Sequence, residues 1–418
     1  MTPGPRVLFV TGPGGDGTST VAAATAHAAA RAGTATLLLS AEAPARLAAL
    51  LGAAPPVWPA VAWDGARPAA ARIDPAADFR AAVLAGQRRA RPFLDALGAG
   101  DLDDDELTEL PGARDLALLH AVRTAREGGA EYGLLVVDLP PYADAIRLLA
   151  LPEQLRRYLR RLLPRERRTA RALRPFLAQL VGLPMPADGI YDTADRWDAA
   201  LAALERVVTG PGAAVRLVLD PSPRSRAALH AARAGLGLHG LALDAVVANR
   251  MLPAGSPDPR WAERAARQRA LTDGLGLPVP LVELPLLDGE PGPADLADLA
   301  AGPVPPPYAG PARPAPVLED RLADDGLLVW RLPLPGARRE DVGLVRRGDE
   351  LLVTTGPFRR ALPLPSALRR CTVAGAALDP PGELAVRFAP DPARWPAPRP
   401  AARSTVEGER DAPGGPHE

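Results

Sequence analysis

Six short runs between residues 6 and about 300 most constrain the fold. They are VLFV (7–10), ATLLLS (35–40), LLVVD (134–138), VRLVLD (215–220), DAVVAN (244–249) and PLVELP (280–285). A strand with one wet face alternates apolar and polar residues; these do not, so both faces must be covered. Each run is followed by helix-compatible sequence, which predicts a parallel sheet with helices on both sides. Residues 76–127 and 153–207 are rich in Ala, Leu and Arg, with apolar positions at three- and four-residue spacing, and are expected to be helical insertions. The proline-rich stretch PVPPPYAGPARPAP (303–316) continues neither a helix nor a sheet interior. Beyond it come LLVWRLPLP (327–335), VGLVRRGDELLVTTG (342–356), FRRALPLP (358–365) and ELAVRF (383–388), with RGDE as a hairpin turn. This pattern predicts a small antiparallel sandwich. The expected organisation is an α/β domain over 1–302, a linker over 303–316, a sandwich over 317–395, and a disordered tail over 396–418.

Composition narrows the partners. The 49 basic residues are all arginine and balance 49 acidic ones, so no global field recruits nucleic acid or an anionic membrane. The lone cysteine, Cys371, excludes an intramolecular disulfide and a multi-thiolate metal site within one chain. His27, His120, His230, His239 and His417 show no ligand spacing. No apolar run approaches the roughly 18 residues of a membrane span, and the start lacks a signal-like apolar region. A cytoplasmic protein is expected, with any membrane contact indirect.

The first strand runs into a glycine-rich turn, VLFVTGPGGDGTST (7–20). Gly12, Gly14 and Gly17 spell G-x-G-x-x-G, which with Glu42 to bind a ribose would suit a nicotinamide-binding oxidoreductase. The same residues lie where a phosphate-cradling loop would end G-K-[ST], but read Gly17-Thr18-Ser19. A bare strand-to-helix turn is the third reading. LLVVDLPPYADAIRLLALP (134–152) favours the phosphate loop. It sets Asp138 at a strand's C-terminal end, where an acid can hold the water shell of a nucleotide-bound magnesium.

These segments together resemble the arsenical-pump ATPase family, whose relatives include the ATPase that targets tail-anchored membrane proteins. The family loop G-K-G-G-V-G-K-T-T lies over Gly12 to Thr20, switch I (S-T-D-P-A-H) over residues 40–45, and switch II over residues 138–152. ELPG (109–112), the V-V-x-N-R-x-L-P strand (246–253) and VELPLL (282–287) also match, and the resemblance spans nearly all of residues 6–300. The C-terminal strands resemble a small-heat-shock-protein-like (α-crystallin-like) domain, marked by GDELLVTTG and LPLP. The resemblance implies a P-loop NTPase-type fold, ATP and magnesium as cofactors, and paired nucleotide sites. One site per chain would make a homodimer, or a heterodimer with an intact paralogue.

By that resemblance Gly12, Gly14, Gly15, Gly17, Thr18, Ser19 and Thr20 would hold the phosphates, and Asn249 with Arg250 the nucleoside. Ser19 and Asp138 would ligate magnesium, and Glu42 would position the attacking water. The loop departs from the family, however. Thr18 stands where the lysine contacts the β- and γ-phosphates, and Pro13 where a second lysine reaches the partner's phosphates. Losing one charge-assisted contact of about 1.5–3 kcal/mol would weaken binding roughly 10- to 100-fold. Asp16 adds a negative charge beside a polyanion. Glu42 is one methylene longer than the family aspartate, and Ala143-Asp144 replaces the switch II Gly-His pair. The expectation is a degenerate member with lost or weak hydrolysis and weak or absent ATP and magnesium binding, acting as a client-binding or regulatory module. The alternative is a working ATPase with atypical phosphate contacts from arginines such as Arg147.

Residues 155–174 hold nine arginines, expected to form a solvated helix face offset by acids such as Asp101 to Glu106. The alternative is a surface for an acidic client, lipid or nucleic acid. With Met only at positions 1, 185 and 251, a Met-lined groove for a hydrophobic client is not supported; leucine could line one. Arsenite binding through several cysteines is not inherited.

Overall fold

The computed structural model describes residues 5–62, 68–97, 100–128, 132–162, 187–302, 304–307 and 315–395. The tail from 396, His417, most of the linker, and residues 163–186, which include the arginine-rich segment from 163 to 174, lie outside the described residues.

The first five apolar runs become strands β1 (Arg6–Thr11), β2 (Thr36–Ser40), β4 (Leu134–Asp138), β5 (Ala213–Leu219) and β6 (Leu243–Met251). The sixth becomes β7 (Leu281–Pro285), and β3 (Ala69–Arg72) joins them in a parallel sheet ordered β3-β2-β4-β1-β5-β6-β7. The sequence AAAR reads as helix, and β3 was not anticipated; it is a strand because β2 presents its edge in register, Leu37 beside Ala69. Along β1, Val7 and Phe9 enter one core while Leu8 and Val10 enter the other, as two covered faces require.

One face carries α1 (Thr18–Arg31) and α9 (Pro293–Ala301). The opposite face carries α4 (Ala113–Glu127), α5 (Tyr142–Leu162), α6 (Ala187–Thr209) and α7 (Pro223–His239). α2 (Pro44–Leu51), α3 (Pro75–Leu97) and α8 (Pro259–Asp273) complete the helices among the described residues. The two expected insertions correspond to α3 with α4, and to α5 with α6. α5 starts at Tyr142, inside the switch II segment, rather than at 153, and carries Pro152 within it.

The C-terminal region forms two antiparallel sheets. One is β10 (Val342–Arg347), β11 (Glu350–Thr355) and β12 (Phe358–Pro363), with the expected hairpin after Arg347. The other, ordered β13-β14-β9-β8, holds β8 (Val317–Arg321), β9 (Leu327–Pro333), β13 (Cys371–Asp379) and β14 (Glu383–Pro390). β8 and β13 were not anticipated, being rich in polar or small residues.

The sandwich is seated on the first domain, and one hydrophobic cluster runs through both, from Ile146 and Leu236 to Phe358 and Val386. Tyr142 and Phe358 pack with ring centroids 6.4 Å apart. A Cβ added at Gly235 of α7 would lie 2.6 Å from the Phe358 ring, and one at Gly237 would lie 2.5 Å from Pro335. Arg157 forks onto Glu350 at 2.8 and 2.6 Å. Arg360 reaches Glu153 at 3.0 Å and donates to the Leu238 carbonyl at 2.8 Å. Below the sheet, Arg216 and Asp244 form a fully buried ion pair. Arg216 also donates to the Pro305 carbonyl at 3.0 Å, pinning the start of the proline-rich stretch to the core.

Among the described residues, acids 101–106 make no ion pair with α5. Asp101 and Asp104 pair with Arg91 and Arg80, while Arg156 takes Asp198 and Glu205. The reason is topological: α6 and the sandwich bring their own carboxylates against α5.

Candidate functional site

β1 and β4 are adjacent and parallel, so their C-terminal ends bring Thr11 and Asp138 to one edge of the sheet. The chain leaving β1 makes the glycine turn before α1. Gly12 admits no side chain, since a Cβ would sit 2.2 Å from the Val218 carbonyl oxygen. Gly14, Gly15 and Gly17 have φ of 108°, 80° and 86°, a region L side chains rarely adopt. Their turn aims the first amides of α1 outward, an anion-favouring arrangement. Thr18 is the first residue of α1, Ser19 is buried beside it, and Thr20 is half-buried.

Switch II is bonded directly to this turn. Tyr142 N–H donates to the Gly12 carbonyl at 2.8 Å, and the Thr11 hydroxyl donates to the Pro140 carbonyl at 2.6 Å. Asp138 accepts from the Ser40 hydroxyl at 2.8 Å and also from Ser19. Burial, with the charge of Glu42 adding, pushes the Asp138 carboxyl up to about 6 against those two donations. Glu42 follows Ser40, donates its N–H to the Ser40 hydroxyl at 3.2 Å, and pairs with Arg46.

Asn249 and Arg250 sit in an irregularity of the β6–β7 pairing. The Asn249 amide donates to the Asp16 carbonyl at 2.7 Å, so strand β6 holds the glycine turn. Arg250 is exposed, with φ of 60°. Asp16 keeps one carboxylate oxygen buried without a hydrogen-bond partner. Burial raises its pKa; the Asp220 N–H opposes this, the Asp220 charge adds to it, and Arg250 lowers it. Arg147, the sequence candidate for a substitute cation, pairs with Asp144 on its own helix at 3.1 Å.

Two neighbours were not anticipated from sequence. Gln268, buried on α8, donates to the Arg250 carbonyl at 3.1 Å and accepts from Leu252 N–H at 2.9 Å. Asp220 and Gln268 help line a 540 Å³ cleft beside the Asn249–Arg250 segment. Neither lies in a recognisable motif; only their place after β5 and on α8 could have flagged them.

The arrangement separates the nucleotide readings. In a dinucleotide-binding sheet β1 and β2 are neighbours; here β4 lies between them, and the nicotinamide reading is set aside. The sheet, the glycine turn and the strand-end acid define a P-loop NTPase-like protein carrying an appended antiparallel sandwich. Residues 5–301 match the family described as anion-transporting ATPase, and residues 325–388 match the HSP20-like domain found in ArsA. The chain belongs to the ArsA family of anion-transporting ATPases, which use ATP and Mg2+. It is 51% identical to an uncharacterized protein of Streptomyces coelicolor over 94% of this chain and 99% of the other. It is 32% identical to a Mycobacterium tuberculosis protein over 94% of this chain and 97% of that one. An Aquifex aeolicus protein named as an arsenical pump-driving ATPase is 26% identical over 65% of this chain and 71% of its own. Among the described residues, no helix is long and apolar enough to cross a membrane.

Proposed function

We propose that this chain keeps the family's nucleotide-responsive scaffold but hydrolyses ATP weakly or not at all, and acts as a client-binding or regulatory module in a dimer. The observation that carries this reading is the charge around the phosphate turn. Pro13 and Thr18 replace both family lysines, while the Asp16 carboxylate lies within the turn with one oxygen unpartnered. A triphosphate would meet negative charge there instead of cations.

The magnesium half of the site fits its ion better. Asp138 and Ser19 are hard oxygen donors already in contact, as Mg2+ prefers when it keeps most of its waters. Bound there, the ion would supply charge compensation to phosphate oxygens. The amides of Gly14, Gly15 and Gly17 and of the first turn of α1 would take phosphate oxygens. Asn249 and Arg250 would face the nucleoside, and Glu42 would hold a water near the terminal phosphate. Because family sites work in pairs, the partner is a second copy or an intact paralogue in the cytoplasm, with an apolar protein segment as client.

One observation favours the alternative of a working enzyme. The exposed Arg250 acts electrostatically on Asp16, so its guanidinium could stand in for a lysine. Steady-state phosphate release from the wild type and Asp138→Ala decides between the two. Background turnover, equal in both, is expected; turnover abolished by Asp138→Ala would overturn the inactive reading.

A further inference from the structure

The arginine-rich segment after switch II is not used by the nucleotide reading, and its described part lines a cleft of 880 Å³ between α5 and the β10–β12 sheet. Arg156, Arg157, Arg160 and Arg161 line it from the helix; Arg347, Arg359 and Arg360 line it from the sheet. The acids on the same lining are Glu153, Glu205, Asp349 and Glu350. Seven guanidinium groups therefore face four carboxylates, in a chain whose total charge is balanced.

The arginines fall into two sets. Arg156, Arg157 and Arg360 are engaged by short contacts to Asp198, Glu205, Glu350 and Glu153. Among the described residues, Arg160 and Arg161 have only long ion pairs, 3.7 Å to Asp198 and 3.6 Å to Glu350, and both are more than half exposed. Among the described residues, Arg347 and Arg359 have no ion pair, and both are exposed. Register puts Arg347 opposite Glu350, and Arg359 opposite Thr354, two residues from Leu352. They therefore share the sheet face that carries Leu352 and Ala361. That apolar floor reduces hydration of whatever lies on it and strengthens guanidinium contacts.

We infer that this cleft binds a small polyanion carrying clustered phosphate or carboxylate groups, held between Arg160 and Arg161 on one wall and Arg347 and Arg359 on the other. Guanidinium forks match both groups bidentately, and the volume is that of a small-ligand site. Such a ligand would bridge the helix that begins in switch II to the sandwich. The inference does not depend on nucleotide binding at the glycine turn.

The test is calorimetric titration of the full chain with sodium tripolyphosphate and, separately, citrate, at low ionic strength. The variants are Arg347→Glu/Arg359→Glu and its neutral counterpart Arg347→Gln/Arg359→Gln. At least one anion should bind the wild type, the better one identifying phosphate or carboxylate as the preferred group. Its affinity should drop at least tenfold in both variants, with melting temperature unchanged. The same anion should bind Thr18→Glu, which sets a negative charge at the glycine turn, as tightly as it binds the wild type; loss of binding in that variant would place the anion at the glycine turn and overturn the inference. Absence of binding by either anion, or equal affinity in wild type and the arginine variants, would also overturn it.

Discussion

Adding one methyl group at Gly235 tests whether the sandwich is seated on α7. The new Cβ would lie 2.6 Å from two ring carbons of Phe358 and 3.1 Å from Ile146. Phe358 is almost fully buried and backed by Tyr142, so the ring has little room to give way. Overfilling a packed site costs about 1–3 kcal/mol, whereas replacing Gly by Ala within a helix returns about 0.5–1 kcal/mol. Gly86 of α3 supplies the control, because a Cβ there meets nothing within 4 Å. Subtracting the two substitutions cancels helix propensity and leaves the clash, about 1–3 kcal/mol. Denaturant melts should show Gly86→Ala stabilised and Gly235→Ala destabilised. In a Phe358→Ala background the Gly235→Ala penalty should largely vanish. If Gly235→Ala stabilises the wild type as Gly86→Ala does, the ring is not against the helix and the docking described here is wrong.

His239 is buried at the end of α7, and burial with Arg360 nearby pushes its pKa down to about 3. The unfolded chain takes up a proton below the ordinary 6.5, so the stability contribution is full above 6.5 and is lost as pH falls toward 3. Between pH 6.5 and 5 the loss is about 2 kcal/mol; His239→Gln should remove it, and an unchanged pH dependence of unfolding would contradict this. Arg216→Met leaves Asp244 buried without its counter-ion and should cost about 3–5 kcal/mol. The double change Arg216→Met/Asp244→Leu should cost less than the single one in chemical denaturation, and a larger, additive loss would contradict the pairing.

Legibility of the molecule in its sequence followed the physics of each element. β1, β2 and β4 to β6 were readable because strands covered on both faces are nearly all apolar. β7, at the edge of the sheet, instead alternates, burying Val282 and Leu284 and exposing Glu283 and Pro285, so among the described residues the expected cover on both of its faces is not there. β3 was not, since three alanines and an arginine become a strand only through the neighbour's edge. The glycine turn and Asp138 were legible because each combines a residue type with a place at a strand end. The bond from Asn249 to the Asp16 carbonyl was invisible, since it joins residues 233 apart. The domain interface was hidden more thoroughly. Gly235 and Gly237 read as weak points in a helix, and their reason is the close approach of Phe358 and Pro335. Arg157 and Glu350 are 193 positions apart, and neither has local context that names the other.

The central claim is that the scaffold of an ATP-driven switch persists here without its cationic hold on the phosphates. Calorimetric affinity for Mg–ATP, compared between the wild type and Thr18→Lys, tests it most directly. Weak or undetectable binding to the wild type is expected, with a gain of roughly 10- to 100-fold in the variant, the worth of one charge-assisted phosphate contact. Tight binding to the wild type, with nothing gained from the lysine, would contradict it.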